Sequence, residues 1–182
     1  WEIVESIRQY DREQRGSEDI RTRSLRARLF LMQGDVERSS RWVDTITYPP
    51  PNQPLLWLEE PQLTRVWILV TRGNDADLRL ATEILDILEE IADRNFITLY
   101  KIEILSLRAL LLETQGQTSQ ADAVLEQALE LGRPGGFIRV FVDLGKPIQS
   151  ILLRCVSKGH MVETINRILA AFPEESSNGI GN

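Results

Sequence analysis

The chain has 182 residues, enough for about one domain with a substantial core, and its 42% hydrophobic and 26% charged residues exclude a disordered polypeptide. No apolar run reaches the roughly 18 residues of a membrane-spanning helix, and the single cysteine, Cys155, excludes an internal disulfide or a multi-cysteine zinc site. The formal charge is −6, with nine acidic against four basic residues in 51–100, which disfavours direct contact with nucleic acid, whose phosphates require clustered cations.

Taken in order, Trp1 to Arg15 reads as an amphipathic segment, and a first residue that is Trp rather than Met points to a piece of a larger protein. The four arginines Arg21, Arg23, Arg26 and Arg28 project from a helix in several directions and are expected to form a solvated face with ordinary surface pairs. From Ser17 to Phe172 apolar residues recur at helical spacing. In Leu78–Ile91 the set Leu80, Ala81, Ile84, Leu85, Leu88 and Ile91 forms one stripe. Breakers fall at Gly34–Asp35, Tyr48–Pro54, Gly73–Asp75, Gly116–Thr118, Arg133–Gly136, Gly145–Pro147 and Gly159. Pro49, Pro50 and Pro51 place the longest connection, and residues 173–182 lack apolar mass and read as a disordered tail. Phe137 to Asp143 is rich in β-branched and aromatic residues, but no second strand candidate could complete its hydrogen bonds, so it is expected to be helical with Phe137 and Phe141 on one face.

The strongest signal is a repeat. Aligning Gly34, Gly73, Gly116 and Gly145 places Ala27, Val66, Ala109 and Ile138 seven residues before, and Ser39, Leu78, Ala121 and Ser150 five after. Ala81 replaces Leu78 in register if the second turn is enlarged by three residues. Each unit is a helix, a glycine corner and a second helix, and small residues at matched distances let the two backbones approach. The spacing predicts an all-α, right-handed superhelical stack of antiparallel helix pairs, with residues 1–182 forming a single helical-repeat domain.

The unit carried by Ala109, Gly116, Ala121, Leu125 and Ala128 resembles a tetratricopeptide repeat. The longer stretch through Leu129, Leu131, Pro134, Gly136, Phe137, Arg139, Phe141, Asp143, Gly145, Leu152 and Leu153 resembles the helical-repeat region of MalT-like regulators of the LuxR family, over about residues 20–172 and most specifically Ala121–Leu153. That resemblance implies a regulatory sensor and self-association module of a transcription activator, binding a small-molecule inducer or a regulatory protein. It implies an ATP-dependent parent chain with a nucleotide-binding module before the repeats and, after them, a helix-turn-helix domain that reads DNA, and a cytoplasmic setting is expected. A tetratricopeptide-type scaffold binding a peptide segment is the other reading, and the parent gene separates the two.

No catalytic, cofactor or metal signature survives inspection. His160 and Cys155 lie about 140° apart on a helix, Asp75 and Asp77 lack the remainder of a calcium loop, and Gly132, Gly135 and Gly136 follow a helix rather than a strand. Adjacent acids such as Glu59 and Glu60, or Glu89 and Glu90, diverge too far for paired acid–base work. No enzymatic role is expected. If the first helices of successive pairs line a concave groove, its positions are Arg21, Ser24 and Arg28, then Glu60, Leu63 and Trp67, then Glu103, Ser106 and Leu110. Of these, Arg21, Arg28, Glu60, Trp67 and Glu103 are the candidate groove residues, Trp67 being either a ligand platform or a core side chain. Arg28 and Arg65 could clamp an anion or pair with surface acids.

Overall fold

The computed structural model describes residues 1–46 and 60–173. These residues form ten helices and no strand: α1 (Glu2–Arg15), α2 (Ile20–Met32), α3 (Val36–Val43), α4 (Pro61–Arg72), α5 (Asp75–Arg94), α6 (Thr98–Thr114), α7 (Thr118–Gly132), α8 (Arg139–Val142), α9 (Lys146–Ser157) and α10 (Val162–Leu169). The breaker at Tyr48–Pro54, the triple proline and residues 174–182 of the expected tail lie outside the described residues.

Corner chemistry divides the chain into pairs. At the end of α2 the N–H of Asp35 donates to Phe30 O at 2.9 Å and that of Gly34 to Leu31 O at 2.9 Å, a Schellman cap that needs a left-handed residue at Gly34, where φ is 80°. The Asp35 side chain then accepts from Arg38 N and starts α3, so one short turn ends one helix and begins the next. The same bonding recurs from Gln117 N to Leu112 O between α6 and α7, and from His160 N to Cys155 O between α9 and α10. Between α4 and α5 the link is shorter still: Gly73 closes on Leu69 O and Asn74 caps Asp77 N.

These corners bring together α2 with α3, α4 with α5, and α6 with α7. Successive pairs then stack, α2 lying on α4 and α4 on α6, with α3 touching α4 and α5 touching α6. No pair buries its apolar face alone, and one cluster from Ala27 to Ile168 runs through the layers. Ala27, Ala109 and Ala121 are buried where paired helices meet, as are Val66 and Ser39. Helix α1 docks on α2 through buried Asp11, which accepts from Thr22 Oγ1 at 2.6 Å and Asp19 N at 3.1 Å.

Four details differ from the expectations. The second turn is not enlarged, since α3, α5 and α7 all begin two residues after their glycine. Leu78 is therefore the true counterpart of Ser39 and Ala121, and the buried stripe of α5 is rotated to Leu78, Ala81, Ile84, Leu85, Leu88 and Ala92, leaving Leu80 and Ile91 half-exposed. The fourth corner is Gly159, not Gly145: Gly145 precedes α9 with ψ −153°, Ile138 precedes the helix and Ser150 is exposed. Phe137 lies outside helix, because α8 spans only four residues and the turn at Gly132–Gly136 consumes the preceding segment. Finally, the corner between α5 and α6 carries no glycine. Phe96 takes the left-handed position there with φ 54°, while Ile97 N donates to Ala92 O.

Candidate functional site

The stacking of α2, α4 and α6 brings one residue from each of three successive units to a common point. Arg28 Nη2 lies 2.5 Å from Glu103 Oε1, and its guanidinium carbon is 5.6 Å from the centre of the Trp67 ring. Each helix reaches this seam by the same periodicity. On α2, Arg21, Ser24 and Arg28 share a face, as do Glu103, Ser106 and Leu110 on α6. The pair joins residues 75 apart in sequence, and the side chains are only 16% and 13% exposed. Trp67, 6% exposed, forms an apolar wall beneath the guanidinium, a geometry in which ring and cation attract.

The remaining candidates divide by height along the helices. Arg21 is half-buried and pairs with Asp19, the residue that caps α2. Glu60 is buried and caps α4, accepting from Gln62 N at 3.0 Å. Glu60 thus starts the helix that carries Trp67, while Arg21 pairs with the residue that starts the helix carrying Arg28. Ser24, Leu63, Ser106 and Leu110, expected on an open groove, are all buried, and Ser106 Oγ donates to Ile102 O at 2.8 Å. The seam is thus a packed polar–aromatic cluster rather than an open trough, and Arg28 pairs inside the stack rather than on its surface. A cavity of about 630 Å³ lies elsewhere, between Met32 at the end of α2 and residues of α8, α9 and Phe172.

A second ionic cluster escaped the sequence reading. Asp122 on α7 is buried and meets Arg154 of α9 at 2.7 Å and Lys158 at 2.5 Å, while Arg154 also binds Glu113 of α6 at 2.7 Å. Burial alone would push the Asp122 carboxyl up, but hydrogen bonds from Arg154 and Lys158 outweigh it and hold the group below the usual carboxylate range. Residues 32 and 36 positions apart in the chain give no local signal of such a meeting.

The groups weighed for catalysis are occupied structurally. Burial, reinforced by Asp122 and Glu126, pushes the Cys155 thiol up to about 11, so it packs as a core residue and is not a thiolate. His160 turns away to place Nδ1 2.7 Å from Glu126 Oε1. Asp77 pairs with Arg72 at 2.7 Å, and Glu89 with Lys101 and Arg108 at 2.8 Å each.

Glycine-cornered helix pairs stacked in layers, with small residues at the paired faces, define a helical-repeat domain of the tetratricopeptide kind. Comparison with known proteins refines that class: residues 3–158 match the family described as the MalT-like TPR region. The chain belongs to that family. The match begins within α1 and ends at Lys158, so the N-terminal helix, which the sequence resemblance left aside, is part of the matched region. No curated protein and no solved structure matches the chain. Among the described residues no helix is long and apolar enough to cross a membrane.

Proposed function

We propose that this chain is the sensor and coupling module of a MalT-type transcription regulator of the LuxR family. It receives a small-molecule inducer or a regulatory protein, and its occupancy biases self-association of the parent activator, whose DNA contacts belong to another domain. In this reading the module binds and transmits, catalyses nothing and works in the cytoplasm.

The observation that carries the reading is the family match over residues 3–158, on a stack whose layers are joined by side chains. Arg28 of the first pair is tied to Glu103 of the third across Trp67 of the second. A binding event that altered one layer would be felt at the others through that link, which is what a coupling segment requires. The charge of −6 agrees with a segment that leaves DNA to a different part of the protein.

The parent gene supplies the first test. The reading requires an upstream phosphate loop of the form Gly-x-x-x-x-Gly-Lys-Ser/Thr and a downstream helix-turn-helix; absence of both would overturn it in favour of a peptide-binding scaffold. With the parent in hand, sedimentation velocity of the intact regulator and of its Arg28→Ala variant is expected to show self-association on addition of inducer, with the variant requiring more inducer. An identical response from both would remove the α2–α4–α6 seam from the mechanism.

A further inference from the structure

On α2, Arg23, Arg26 and Phe30 follow one face, and on α3, Arg38, Arg41 and Trp42 repeat the same order of two arginines and a ring. The corner at Gly34 turns these two rows toward each other. They line a crevice of about 470 Å³ that contains four guanidinium groups and, among its described lining residues, no carboxylate. At 100° per residue this face of α2 lies about 160° from the one that carries Arg28, so the crevice is separate from the α2–α4–α6 seam and does not depend on the reading of that seam.

The acids nearby hold the arginines from the rim. Glu18 takes Arg26 Nη1 at 2.7 Å, Asp35 takes Arg38 Nε at 3.2 Å, and Glu37 takes Arg41 Nη2 at 2.5 Å. Each guanidinium has five N–H donors, so these contacts leave most donors unspent. Arg23 is exposed and has no ion-pair partner among the described residues. Arg38 and Arg41 are 61% and 71% exposed at the side chain, and the Arg38 guanidinium lies 5.4 Å from the centre of the Phe30 ring, which holds its plane over an aromatic face. With three of the four arginines met by one acid each, the group as a whole still keeps a positive charge facing the crevice.

We propose that the α2–α3 crevice is a binding site for a small organic phosphate, with Arg23, Arg26, Arg38 and Arg41 gripping the phosphate and Phe30 and Trp42 contacting the apolar body. A carboxylate brings one charge and two oxygens, and each of the three acids nearby meets one arginine of the group. A phosphate monoester presents about two charges and three terminal oxygens, each able to accept more than one N–H, and so uses guanidinium groups arriving from two helices. The crevice volume falls within the roughly 300–1,000 Å³ typical of small-molecule sites.

The test is isothermal titration of the purified chain with phenyl phosphate, with glutarate as the carboxylate control. Phenyl phosphate is expected to bind at one site and to weaken as salt rises from about 50 to about 500 mM. The double variant Arg23→Gln/Arg38→Gln is expected to lose about tenfold or more in affinity, while Arg94→Gln on α5 loses none. Both substitutions are at exposed positions, and thermal melts of the unliganded variants matching the parent chain would show that the loss is local. Absence of saturable binding, equal loss in Arg94→Gln, or glutarate binding as tightly as phenyl phosphate would each overturn the assignment.

Discussion

The α6–α7 pair and the segment that follows it, Phe137–Ser157, carry equally conspicuous glycines yet fold differently. In α6–α7, Gly116 is flanked by Ala109 seven residues before and Ala121 five after, both fully buried, and the two helices pack along their length. Around Gly145 the corresponding residues are Ile138, outside any helix, and Ser150, exposed on α9. Glycine alone only permits a reversal; two full helices close on it when the residues flanking it are buried between them, as they also are around Gly73 with the larger Val66 and Leu78. Around Gly145 neither flanking residue is buried, a four-residue helix and an irregular link fill the place, and the next left-handed corner is at Gly159.

The sharpest way to break this contrast is to place the same side chain at the two aligned positions. Ala121→Leu pushes three heavy atoms into the α6–α7 interface and is expected to cost about 1–3 kcal/mol in urea unfolding, whereas Ser150→Leu on exposed α9 should stay within about 0.5 kcal/mol. Equal effects would mean that Gly145 does form a packed corner.

The boundary between the two regions is bridged by the Asp122 cluster, and its strength is readable from pH. The folded carboxyl is held below its ordinary value near 3.9, so its stabilisation is complete above that value and is lost as pH falls through the depressed one. Asp122→Asn should therefore cost about 1–3 kcal/mol at neutral pH, and the deficit should shrink toward zero as unfolding is measured at progressively more acid pH. A deficit independent of pH would assign the effect to packing rather than to the Arg154 and Lys158 contacts.

The smallest effect concerns a corner built without glycine. Phe96 occupies a left-handed backbone position while its side chain is 92% exposed, so it contributes strain and little burial. Phe96→Gly is expected to raise stability by about 1 kcal/mol, read as a higher denaturation midpoint. A loss instead would show that the ring makes a contact that matters in solution.

Much of this architecture was legible along the chain. Gly34, Gly73 and Gly116 mark real corners, and Ala27, Val66, Ala109, Ser39 and Ala121 are buried as their spacing requires. Two of the differences share a cause. The α5–α6 corner has Phe96 in the left-handed position that glycine favours, and α5 carries the large Leu78 where the aligned units have Ser39 and Ala121. Both are cases in which tertiary packing tolerates a residue that local preference disfavours.

The candidate site was legible only as positions. Helical phase placed Arg28, Trp67 and Glu103 on comparable faces of three helices, but nothing in their spacing said that they would meet and be buried. The same holds for the facing rows of arginines on α2 and α3, and for Asp122 with Arg154. Helix extents, caps and corners depend on a few neighbouring residues and are written locally. Which charges end up touching depends on how whole layers settle against one another, and that is decided only when the stack closes.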